Sequence, residues 1–299
     1  MTYDDLVSIY FVTPPEGFPA FSLPTSAARR LRDALEPIAT QGWWSRAVAE
    51  RLSALGLDFF EAYVWGRAAS LGKPAAAAVV ATFGVFDPAL LTAVYERGSA
   101  TASREAVLAA REQGAAEALG AIVSADKASA LADRLQPALE ALDGMGRPLF
   151  SALRALPIPD TPFGRLWRSA ELVREHRGDG HLAALVASGI DMVSANILTE
   201  LWLGYRLGEY SSSRGIDSDH LMPAVARLEA RGWMEGGSLT AAGRAAREDL
   251  EAATDRSQDA LVEALGLGID DVIADAEAIS KAVVAAPSFP ADPRKRAAG

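Results

Sequence analysis

Apolar residues in this chain recur at helical spacing from one end almost to the other. Leu108, Ala115, Leu119 and Ile122, for instance, fall on one face at steps of seven, four and three. No series of alternating apolar and polar residues marks the strands of a sheet. The pattern constrains the fold to an all-α class with small β-wings. Glycine and proline then divide the chain. Residues 1–26, with Pro14-Pro15, Pro19 and Pro24, read as an extended N-terminal arm, and 27–143 as an N-terminal helical domain. Glycine and proline cluster again over 144–162, a linker with a short helix near 149–156. Residues 163–286 read as a C-terminal winged-helix-like domain. The tail 287–299, with Pro287, Pro290, Pro293 and Arg294-Lys295-Arg296, reads as disordered.

With 299 residues, half of them hydrophobic, the chain has room for two domains and a substantial core. It lacks an apolar run of about 18 residues, so no membrane span is expected. Asp4 and Asp5 stand where a signal peptide would carry basic residues, which points to the cytoplasm. The absence of cysteine excludes disulfides, thiolate metal sites and cysteine nucleophiles. A net charge of −10 opposes an electrostatic grip on DNA.

The two halves resemble each other in order. Arg30-Leu31 with Glu36 corresponds to Arg165-Leu166 with Glu171, and Leu57-Asp58 to Ile190-Asp191. Phe86-Asp87 corresponds to Ile216-Asp217, and Ala109 to Glu112 to Ala245 to Glu248. The offsets stay between about 130 and 138, which predicts two related winged-helix-like halves in a pseudo-two-fold arrangement. The molecule would then be a monomeric pseudo-dimer or a homodimer, with a small-molecule pocket between the halves.

Residues 217–253 carry the pattern of a winged helix. Asp217 or Ser218 caps a helix through Leu221, Val225 and Leu228, and Arg231-Gly232 ends it. Trp233-Met234 and Ser238-Leu239 flank a glycine turn, and Thr240 caps the next helix. A DNA reader needs basic and amide side chains on the recognition helix. This helix offers Arg227 against Asp217, Asp219 and Glu229, and the wing tip has neither Arg nor Lys, so DNA is a disfavoured partner.

On these residues the C-terminal half resembles MarR-type regulators. The stretch from about Ala27 to Gly266 also resembles an actinobacterial family of all-helical proteins called helix-turn-helix or SalK-like. The segments that carry this resemblance are Gly66-Arg67-Ala68-Ala69-Ser70-Leu71-Gly72, Leu166-Trp167 leading to Arg174 through His181, and Leu239 through Arg244 leading to Glu251 and Thr254-Asp255-Arg256. The resemblance implies a winged-helix C-terminus. It also implies a biosynthetic or self-regulatory role beside secondary-metabolite genes.

Two of the three histidines, His176 and His181, lie five residues apart in Arg174-Glu175-His176-Arg177-Gly178-Asp179-Gly180-His181. Here the glycines predict a helix break, with Gly178 as the stop and Asp179 as the next N-cap. His181, His176, Asp179 and Glu175 are the candidate acid–base residues, as His181 with Asp179 or His176 with Glu200. His181 is expected at a helix N-terminus, which would keep its imidazole neutral. Arg174, Arg177, Tyr63, Trp65, Arg67, Asn196, Glu200 and Trp202 are the candidate ligand contacts. No metal site is expected, because the histidine spacing matches no helical ligand pair. The cofactor is unknown; the lack of a dinucleotide or Walker loop and of Gly-x-Ser-x-Gly disfavours nucleotide cofactors and serine-hydrolase chemistry. Two readings follow: a small-molecule-binding protein of natural-product biosynthesis, open to cofactor-independent acid–base catalysis, and a ligand-responsive MarR-like transcriptional regulator.

Overall fold

In the computed structural model, which describes residues 3–11, 23–290 and 292–298, nearly all regular structure is helical. Helices α1 (Tyr3–Tyr10), α2 (Ala27–Ala39), α3 (Gln41–Trp44), α4 (Arg46–Ala54) and α5 (Phe59–Ala68) come first. They lead into α6 (Ala76–Phe83), α7 (Pro88–Thr101), α8 (Arg104–Gly120) and α9 (Ala125–Glu140). The short α10 (Pro148–Arg154) precedes α11 (Pro162–Ala187), and α12 (Met192–Trp202) precedes α13 (Ser218–Ala230). Strands β1 (Met234–Glu235) and β2 (Ser238–Leu239) follow, then α14 (Ala241–Arg256), α15 (Asp259–Leu265), α16 (Ile269–Ala285) and α17 (Pro293–Ala298).

Local chemistry sets many of these helix starts. Ser45, Asp58, Asp87, Ser103, Ser124, Thr161, Asp191, Asp217 and Thr240 each accept a first-turn backbone N–H through the side chain. Such caps contribute about 1 kcal/mol each. At the wing, Met234 pairs with Leu239 and Glu235 with Ser238 in antiparallel register. The two-residue turn between the strands needs positive φ at both positions, and Gly236 (φ 54°) and Gly237 (φ 79°) supply it. The described residues form this one wing alone. In the N-terminal half α7 and α8 are joined by Ala102-Ser103, with no strand between them, so a wing in each half is not what forms.

Helix α11 is the axis of the molecule. It packs against α2, α8, α9, α10 and α14. The largest apolar cluster runs from Leu31 to Phe289 and draws on both sides of 144–162. A second cluster, from Leu185 to Leu250, joins α12, α13 and the wing.

Three local expectations are corrected. The helix break at Gly178 is absent: α11 continues for 26 residues through both glycines. Gly180 serves close packing, because a Cβ there would collide with the Ser257 hydroxyl and lie 2.9 Å from an Arg147 guanidinium nitrogen. The first residues are not all extended, since Tyr3–Tyr10 is helical and the Tyr3 hydroxyl donates to the Trp44 carbonyl at 3.1 Å. Of the prolines behind that expectation, Pro14, Pro15 and Pro19 lie outside the described residues. The tail is also structured: α17 buries Ala297 in its last turn, with Arg29 donating to the Ala297 carbonyl at 3.1 Å and Arg32 to that of Arg296. These arginines satisfy helix-end carbonyls that a six-residue helix leaves open.

Candidate functional site: an arginine-lined cavity on α11

One face of α11 opens on a cavity of about 130 Å³. Its walls come from both sides of 144–162: Arg32, Tyr63, Arg67 and Phe83 from one, Asn196, Thr199, Arg247 and Glu251 from the other. Gly178 lies on its floor, where an added Cβ would meet only Glu175 Oε2, at 3.7 Å. Six arginines line the cavity (Arg32, Arg67, Arg174, Arg177, Arg214, Arg247) against three carboxylates (Glu175, Asp179, Glu251). A chain carrying −10 overall thus surrounds this space with an excess of positive charge.

Most of these charges are locked. Glu175 receives a two-pronged contact from Arg67, Nε at 3.0 Å and Nη2 at 2.8 Å, and a third from Arg174 Nη1 at 3.1 Å. Burial alone would raise its pKa, but Arg67 and Arg174 hold it below the usual carboxylate value. Glu175 is therefore an anchor for arginines rather than a proton carrier. On the opposite wall, Glu251 binds Arg29 and Arg177 at 2.8 Å and Arg247 at 2.7 Å. These arginines outweigh its burial and keep it ionised.

Asp179 behaves differently. Its Oδ2 accepts the Phe150 N–H at 3.0 Å, capping the start of α10, where Arg147 gives no side-chain cap. It is not the N-cap expected of it, because α11 runs through it unbroken; its carboxylate instead satisfies a first-turn N–H of a neighbouring helix. Its Oδ1 is buried with no hydrogen-bond partner among the described residues. Burial pushes its carboxyl up to about 7, so it is half-protonated near neutrality.

The two histidines part company. His181 lines the cavity and contacts the Thr254 hydroxyl at 3.0 Å through Nδ1. That hydroxyl donates to the Leu250 carbonyl at 2.8 Å, which assigns the imidazole proton to Nδ1 and leaves Nε2 with its lone pair. Burial and nearby Arg247 lower the His181 pKa to about 3. The ring is neutral as expected, but through desolvation and not through a helix terminus. His176 is buried away from the cavity, with Nδ1 2.8 Å from Gln258 Oε1 and its ring against the edge of Phe150 at 4.8 Å. Burial lowers its pKa to about 4. Neither expected acid–base pair forms: His181 meets Thr254, because residues two apart on a continuous helix do not face each other, and His176 meets Gln258, while Glu200 is engaged by backbone N–H groups elsewhere.

The remaining candidates separate in the same way. Arg174, Arg177, Tyr63, Arg67 and Asn196 line the cavity. The Tyr63 hydroxyl accepts from Arg67 Nη1 at 3.0 Å. Burial raises its pKa, but Arg67, Arg174 and Arg214 together bring it below that of a free phenol. Trp65, Glu200 and Trp202 do not line it. Trp65 is a core residue donating to the Ala102 carbonyl at 3.0 Å. Glu200 is fully buried and accepts the N–H groups of Gly208, Tyr210 and Ser211 at 2.8–3.0 Å, which fixes the segment before α13. Trp202 packs under the Arg247 guanidinium, 4.4 Å from the ring centre. Arg32, Arg214, Arg247 and Glu251 are cavity residues beyond those expected. In the sequence Arg247 stands out only within the repeat match and Glu251 only within the family resemblance; the structure pairs them across one turn of α14.

The would-be DNA surface is also on view. The outward face of α13 carries Asp219 and Glu229, Arg227 is tied to Asp191 at 3.1 Å, and His220 is held by Asp217 at 2.8 Å. Among the described residues no single helix is long and apolar enough to cross a membrane.

A helix-turn-helix family pattern matches residues 28–290. The chain belongs to the helix-turn-helix family. No curated protein and no solved structure matches it.

Proposed function

We propose that this helix-turn-helix family member binds a small molecule in the α11 cavity and does not read DNA. The observation that carries this reading is the cavity itself, where six arginines meet three carboxylates around a glycine floor. A core without a ligand role would fill such a space with apolar side chains, since buried charge is costly. The neutral imidazole of His181 and the poised carboxyl of Asp179 support acid–base chemistry on whatever the cavity holds. The SalK-like resemblance favours natural-product metabolism as the setting. The same reading takes the chain as a duplicated pair of halves. It is supported by equivalent caps, Asp58 with Asp191 and Asp87 with Asp217, and by buried Arg111 and Arg247, each paired with a glutamate.

Gly178→Phe places a ring in the cavity without disturbing the helix. In thermal-shift screening against a panel of small anionic and neutral compounds, the compounds that stabilise the protein should lose that effect in Gly178→Phe. A gel shift with the chain's own upstream DNA should show only salt-sensitive, nonspecific retention. A specific nanomolar complex persisting at physiological salt would overturn this choice in favour of a regulator.

A further inference from the structure

A second chamber, of about 100 Å³, lies beside the first and shares Tyr63, Phe86, Arg174 and Arg214 with it. Its wall is aromatic: Trp44, Phe59, Phe60 and Phe86 all face it, with Trp44 and Phe59 stacked at 5.8 Å. Glu36, Arg174 and two further cations, Arg214 and Lys295, also line it. Among the described residues, neither makes an ion pair with a carboxylate. The third cation, Arg174, is by contrast tied to Glu36 and Glu175.

The Arg214 guanidinium sits 4.8 Å from the Phe86 ring centre and 4.6 Å from that of Tyr210. Its Nη2 donates to the Tyr210 hydroxyl at 2.6 Å, while its Nε is buried without a hydrogen-bond partner. Lys295 Nζ lies 5.6 Å from the Tyr10 ring centre. Burial and the charge of Arg214 depress the lysine's pKa, outweighing the opposing charge of Asp292. Aromatic faces offset part of the cost of enclosing a cation, and a partner anion normally supplies the rest. Among the described residues the one carboxylate lining the chamber, Glu36, is taken up by Arg32 and Arg174 and forms no ion pair with Arg214 or Lys295, and the surrounding surface suits a flat ring.

We propose that this chamber binds a planar aromatic carboxylate, its anionic group held by Arg214 and Lys295 and its ring by the aromatic wall. The proposal rests on the small-molecule reading above and gives it a ligand class. The ligand's charge would restore the balance around Arg214, and its ring would exchange water for aromatic contact.

The test is calorimetric titration of the full chain with 1-naphthoate, with 1-naphthamide as the neutral isostere and inorganic phosphate as the anion without a ring. Naphthoate should bind saturably, and naphthamide at least tenfold more weakly. Phosphate should not displace naphthoate. Arg214→Gln and Lys295→Gln should each weaken naphthoate at least tenfold, while the surface variant Arg30→Gln should not. If Arg214→Gln does not fold, Lys295→Gln on the short α17 decides alone. Equal binding of the amide, displacement by phosphate, or unchanged affinity in the lysine variant would overturn the proposal. If naphthoate fails while panel compounds stabilise the wild type but not Gly178→Phe, this proposal falls and the small-molecule reading stands. If nothing binds, both fall.

Discussion

Gly178 and Gly180 sit two residues apart on one helix and have opposite surroundings. A Cβ at 178 enters open space beside Glu175, whereas one at 180 meets Ser257 and Arg147. Gly178→Ala should therefore stabilise the protein by about 0.5–1 kcal/mol, the helix propensity difference. Gly180→Ala should destabilise it by about 1–3 kcal/mol through overpacking. Chemical denaturation of both variants checks the pair, and equal shifts of one sign would refute the distinction. Asp179 supplies a second prediction at this scale. Its folded pKa of about 7 lies above the ordinary aspartate value of 3.8, so its contribution is intact below pH 4 and is lost as pH rises through 7. Asp179→Asn keeps an acceptor for the Phe150 N–H and removes that loss. The variant should match the wild type near pH 4 and exceed it by on the order of 2–4 kcal/mol above pH 7. Melting curves across that range test it, and a wild type favoured at pH 8 would contradict the buried-carboxyl assignment. Little of this was legible in the sequence. Gly-Asp-Gly reads as a helix break, because local propensity cannot see the neighbour that makes a glycine necessary.

At the scale of elements, α14 is held to α2 and α11 through two carboxylates, Glu251 and Asp255, of which Glu251 gathers the most arginines. Glu251 serves Arg29 of α2, Arg177 of α11 and Arg247 of its own helix. Replacing a buried ion pair with apolar residues is often neutral, but removing one partner leaves uncompensated charge. Glu251→Gln should therefore cost about 3–5 kcal/mol, seen as a lower denaturation midpoint. A change within about 0.5 kcal/mol would mean that the arginines find other partners. The wing and the helices around it were readable residue by residue: Asp217, Gly236-Gly237 and Thr240 act locally, and local chemistry survives translation into structure. The ends were not. Tyr3–Tyr10 and Pro293–Ala298 are six to eight residues long, too short to be helical on their own, and are held by distant partners such as Trp44, Arg29 and Arg32.

At the scale of the whole molecule, charge is sorted in a way composition does not reveal. The chain totals −10, yet arginines outnumber carboxylates two to one in the α11 cavity, while α13, the helix before the wing, faces outward with Asp219 and Glu229. The sequence by itself determined that the chain is helical, where most helices start, and that a wing follows α13, because spacing, caps and turn glycines act within a few residues. It also singled out the segment from Arg174 to His181, five of whose residues besides Gly178 line the cavity. The tertiary structure alone decided that α11 runs unbroken, that His176 turns to Gln258 while His181 faces the cavity, and that Trp65, Glu200 and Trp202 belong to packing. It also brought Arg32, Arg214 and Arg247 to one space. Each of these depends on residues tens to hundreds of positions apart, whose meeting is fixed by the burial of α11 among five helices and leaves no periodic trace along the chain.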